Sequence, residues 1–122
     1  MRKGLGAAEI IAKALEYWGS RGERWTKGML VNKQTGAVCA YGGLSTAAFS
    51  IKGQPFGCYE IKVGNPLWDH PNREGFNRAC KLMRDNVPLG STIIIFNDTQ
   101  PSFQPVKELA CKSLKQALAE EE

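Results

Sequence analysis

The sequence predicts an α+β fold, a small sheet packed against about four helices in one domain, and three observations carry that prediction. Apolar residues recur at helical spacing in four separate segments. The β-branched run Ile93-Ile94-Ile95 is too short for a helix of its own and apolar on both sides, so it reads as a buried central strand. Two further stretches, Trp25–Val31 and the alternating Cys58–Val63, read as an extended segment and an edge strand.

The chain has 122 residues, enough for one core and too few for two domains of typical size. With 43% apolar and 23% charged residues it has the composition of an ordinary globular protein. No apolar run approaches the roughly 20 residues that span a bilayer. Met1-Arg2-Lys3 leads into an amphipathic stretch that carries Glu9. The reading is therefore a cytoplasmic protein with no membrane partner.

The first helix covers Ala7 to Trp18, with Ala7, Ile10, Ile11, Ala14, Leu15 and Trp18 on one stripe, and Gly19-Ser20-Arg21-Gly22 stops it. Trp18 continues the stripe and reads as packing. Trp25, between Arg24 and Lys27, either stacks on a base or nucleotide ring or packs over the sheet edge. A polar turn follows at Asn32 to Gly36, then a second helix from Cys39 to Phe49. Gly42 and Gly43 in its first turn each cost about 1 kcal/mol relative to Ala, which calls for a close approach by another element or by a ligand at the helix N-terminus.

The Gly- and Pro-rich region from Ile51 to Pro71 reads as a variable insertion, and its His70 sits in a loop before the third helix. That helix runs from Asn72 to Asn86, with Phe76, Ala79, Cys80, Met83 and Val87 as its apolar stripe. Asn97 and Asp98 then end the expected Ser91–Phe96 strand, where they line a site or form turns and caps. A last helix starts near Ser102 and shows Val106, Leu109, Ala110, Ser113, Leu114 and Ala117 on one face. Residues 119–122 form an acidic tail expected to fray.

Cys39, Cys58, Cys80 and Cys111 lie far apart, without a Cys-x-x-Cys pair, and read as reduced thiols. With His70 the only histidine, no zinc site and no cofactor are implied. A net charge of +4, concentrated towards the N-terminus, suits an anionic partner, whether nucleotide, nucleic acid or acidic protein surface, and suits equally a solvated basic surface.

Trp-x-x-Gly at Trp25 to Gly28, Cys-x-x-Gly-x-Leu at Cys39 to Leu44, and Asn97-Asp98 followed by a Phe and a Val-containing amphipathic helix together set up a resemblance. In their order and spacing they resemble a group of small uncharacterised proteins of bacteriophages and actinobacteria. Gly43 stands where that group usually has Ala or Val. The resemblance brings no activity with it. It implies a setting, a small accessory protein in the host cytoplasm that modulates host defence or metabolism.

Two functions follow as expectations. The first is a non-catalytic binding module in which Arg24, Trp25, Lys27, Cys39, Tyr41, Gly42, Gly43, Asn97 and Asp98 hold an anionic, nucleotide-like ligand or face a host protein. The second is a cysteine hydrolase or transferase, with Cys39 as nucleophile, His70 as base and Asn97 or Asp98 as the orienting group. The plain structural alternative is that Cys39 is simply buried and Asn97-Asp98 bonds a loop.

Overall fold

In a computed structural model describing residues 4–29, 31–32, 34–49 and 71–121, the chain forms helices α1 (Ala7–Trp18), α2 (Ala40–Phe49), α3 (Arg73–Asn86), α4 (Ile93–Thr99) and α5 (Gln104–Glu121). The expected α+β class is thus corrected. Among the described residues there is no strand, and the fold is all-α. The predicted Cys58–Val63 edge strand and His70 fall outside the described residues.

Helix α1 is central and packs against α2, α3 and α5. Its Ile10, Ile11, Ala14 and Trp18 are fully buried, and burial of each isoleucine contributes about 2 kcal/mol. It stops where expected: Gly19, at φ 87°, turns the chain while its N–H bonds the Leu15 carbonyl at 3.2 Å. Helix α3 turns Phe76, Ala79, Leu82 and Met83 inwards, and α5 buries Val106, Leu109, Ala110, Ser113 and Ala117. The acidic end, expected to fray, stays helical to Glu121. The Glu121 carboxylate accepts from the Ala8 N–H at 3.2 Å, at the positive end of α1, and Glu120 pairs with Arg78.

The largest correction concerns Ile93-Ile94-Ile95, which opens α4 instead of forming a strand. A helix here needs only one of the three inside. Ile93 is buried and shares its face with Asn97 one turn on, while Ile94 and Ile95 are 42% and 53% exposed. Thr92 caps the start, its Oγ1 accepting from the Ile95 N–H at 3.1 Å. Capping and the placement of Asn97 outweigh the modest β preference of isoleucine.

The stretch from Trp25 to Val31, expected as a short strand or extended entry, forms no strand among its described residues. Trp25 and Val31 each make a single bridge, both to Val38. The Thr26 N–H bonds the Val38 carbonyl at 3.1 Å and the Val38 N–H bonds the Arg24 carbonyl at 2.8 Å. Between them the polar turn forms, with Asn32 Oδ1 accepting from the Gln34 and Thr35 N–H groups. Among the described residues no helix is long and apolar enough to cross a membrane.

Candidate functional site

The Trp25–Gly28, Cys39–Leu44 and Asn97-Asp98 stretches meet in space at the junction of α2, α4 and the loop after α1. Asn97 is fully buried, and its amide is committed at both ends. Its Oδ1 accepts from Trp25 Nε1 at 2.6 Å and from the Ala40 N–H at 2.9 Å, while its Nδ2 donates to the Thr26 carbonyl at 3.1 Å and to Asp98 Oδ1 at 3.2 Å. Asp98 Oδ1 also accepts from the Gly28 N–H at 2.9 Å, and Lys27 Nζ donates to the Gln100 carbonyl at 2.8 Å. Trp25 lays its ring against Phe103, centroids 5.9 Å apart. Trp25, Asn97 and Asp98 are therefore joined through the Asn97 amide, and with Lys27 on the Gln100 carbonyl they pin the loop to α4.

Cys39 stands at the N-cap of α2. Its carbonyl takes the Gly43 N–H at 2.8 Å and its Sγ the Gly42 N–H at 3.3 Å, the bond that a serine or threonine hydroxyl makes at such a position. At 1% exposure the thiol is inside the protein. Gly43 meets the indole of Trp18, whose Nε1 donates to the Cys39 carbonyl at 3.3 Å, so at Gly43 the expected close approach is made by α1. Tyr41 packs at a tilt against Phe76, centroids 5.7 Å apart. Beside Cys39 a shallow pocket of about 160 Å³ is lined by Gly28, Met29, Ile94 and Asp98, with Met29 half exposed.

Cys39 is expected to react with iodoacetamide only as fast as the protein unfolds, with the half-buried Cys80 and Cys111 labelled first; mass spectrometry of the folded protein against pH reads this directly. Fast labelling of Cys39 below pH 7 would restore the nucleophile reading.

A larger pocket, about 510 Å³, opens between α1, α2 and the start of α3. Lys13, Glu16 and Tyr17 reach it from one face of α1, Arg24 from the following loop, Thr46 from α2, and Asn72 from the residue before α3. Arg24 is held in place there: its Nε donates to the Tyr17 carbonyl, its Nη2 to the Glu16 carbonyl, and the guanidinium lies 5.0 Å from the Tyr17 ring centroid. Tyr17 is fixed in turn by donating to the Gly36 carbonyl at 2.6 Å, and burial raises its pKa while Arg24 pulls the other way. Thr46 is only 3% exposed, and its hydroxyl has no hydrogen-bond partner among the described residues.

Of the candidate residues named from the sequence, Arg24 alone lines this pocket. Lys13, Tyr17, Thr46 and Asn72 are not among those candidates. The available signal was the i, i+3, i+4 spacing of Lys13, Glu16 and Tyr17, a polar face off the apolar stripe of α1. Among the described residues no three His, Cys, Asp or Glu side chains group as a metal site. No protein-family profile, curated protein or solved structure matches the chain.

Proposed function

We propose that the chain is a non-catalytic binding module for a small anionic, nucleotide-like ligand, held in the pocket between α1, α2 and the start of α3. The observation that carries this reading is the pairing of Lys13 and Arg24 on the wall of a pocket of about 510 Å³, a volume inside the roughly 300–1,000 Å³ range of small-molecule sites. Two of the five guanidinium N–H donors of Arg24 are used in fixing it, which leaves the others for an anion. The resemblance to small phage proteins supplies a setting, in which such a module sequesters a nucleotide signal of host defence.

The test is calorimetric titration at low salt with adenosine mono-, di- and triphosphates and cyclic mononucleotides. At least one should bind, and Arg24→Ala should weaken it about tenfold or more, the worth of a charge-assisted hydrogen bond. Affinity that is absent across the panel, or unchanged in Arg24→Ala, refutes the reading.

A second reading, a protein partner, is favoured by the exposed Met29 and Ile94 beside the 160 Å³ pocket. That partner would seat one apolar side chain there and set a cation against Asp98. Ile94→Lys separates the two, because it blocks such a partner and leaves nucleotide binding unchanged.

A further inference from the structure

We infer that Thr46 is the specificity-determining donor of the anion pocket and that the group it recognises is a phosphate monoester; this rests on the binding reading above. A threonine inside a helix ordinarily satisfies its hydroxyl on the carbonyl one turn back. Thr46 does not: it lies within α2, almost wholly buried, with a hydroxyl that has no partner among the described residues. Valine has the same shape and no polar group to desolvate, so the hydroxyl costs the empty protein stability that a valine would not. Thr46 also lines the pocket that holds Lys13 and Arg24. A helical threonine populates two χ1 rotamers, and turning from one to the other carries the hydroxyl into the place of the methyl while the methyl moves to the place of the hydrogen. The hydroxyl thereby reaches a ligand oxygen without movement of the backbone.

The number of donors narrows the ligand. Lys13, Arg24 and Thr46 line the pocket from α1, the loop and α2, three separate elements. A carboxylate offers two oxygens in one plane. A phosphate monoester offers three terminal oxygens in a tripod, one to each donor. Glu16, an acceptor on the same wall, faces the hydroxyl-bearing remainder of the ligand.

The experiment compares adenosine 5′-monophosphate, inorganic phosphate and adenosine by calorimetry, and follows thermal unfolding of the unliganded variants. Thr46→Val should melt at or above the wild-type temperature when empty and bind the monophosphate about tenfold more weakly. Thr46→Ser should bind within about threefold of wild type, and adenosine should not bind. If Thr46→Val does not fold, Thr46→Ser against Thr46→Ala makes the same comparison. Wild-type affinity in Thr46→Val, or in Thr46→Ala, overturns the assignment of Thr46 while leaving the anion pocket standing. No binding of either phosphate by the wild-type protein overturns the phosphate-monoester assignment, and the anion pocket falls with it if the di-, tri- and cyclic phosphates also fail to bind.

Discussion

Gly43→Ala is expected to destabilise the protein by about 2–3 kcal/mol, the cost of overpacking a core that cannot yield. The added Cβ would lie 2.5 Å from Trp18 Nε1 and closer still to two ring carbons. The indole has nowhere to retreat: it is fully buried, it is tied to the Cys39 carbonyl, and its other side meets Phe103 at 5.7 Å. At an open helical site the same substitution would stabilise by up to about 1 kcal/mol, so even the sign of the effect tests the packing. Thermal melts should show a loss of roughly 3–6 °C per kcal/mol in a chain of this size. A double-mutant cycle sharpens the test. Trp18→Phe removes ring atoms from the clash, so its own cost should shrink by about 1 kcal/mol or more in the Gly43→Ala background. A neutral or stabilising Gly43→Ala, or strict additivity with Trp18→Phe, would mean that α1 and α2 do not meet at this glycine.

The same pair of residues shows what the sequence makes legible. The apolar stripe that ends at Trp18 follows from local periodicity, and a glycine pair at a helix start announces a close neighbour. Helices α1 and α3 are readable for that reason, since a 3.6-residue apolar repeat held over three turns lines up on one face only if the backbone is helical. Ile93-Ile94-Ile95 spans less than one turn and has no measurable period. Its conformation is set by the Thr92 cap and by the need to bring Asn97 inside, and both act beyond the run itself.

The polar residues divide in the same way. Trp25, Lys27, Asn97 and Asp98 stand out by type, yet a side chain that bonds a ligand and one that bonds a loop look alike in sequence. Only their partners, up to 73 positions away for Lys27 and Gln100, reveal that they hold the scaffold. Lys13 and Thr46 are inconspicuous because a lysine on an outer helix face is commonplace. The unsatisfied hydroxyl that distinguishes Thr46 is a property of the fold.

Asn97→Asp should be the most damaging single-atom exchange in the protein and the one with the clearest pH signature. The oxygen that accepts from Trp25 and Ala40 is retained. The nitrogen that donates to the Thr26 carbonyl and to Asp98 is replaced by a second oxygen, which faces two acceptors at about the distances of the lost bonds, 3.1 and 3.2 Å. An ionised carboxylate at this fully buried position is opposed by desolvation, by the Thr26 dipole and by the neighbouring Asp98. These raise the folded-state pKa of the introduced group above its unfolded value of about 3.9. A raised folded pKa places the greater stability at acid pH. Below about pH 4 the group is protonated in both states, and its O–H replaces the lost donor. As pH rises, each unit up to the folded pKa costs about 1.4 kcal/mol relative to wild type. At pH 7.5 the deficit should reach about 3–5 kcal/mol, the range seen when a buried charge is left uncompensated. Asn97→Ala should be comparably unstable at neutral pH, because it orphans the Trp25 and Ala40 donors and the Thr26 acceptor, but its deficit should not vary with pH. Urea midpoints of the three proteins between pH 4 and pH 8 decide the matter. If Asn97→Asp tracks wild type across that range, Asn97 does not hold the loop to α4, and the motif residues return as candidates for a binding site.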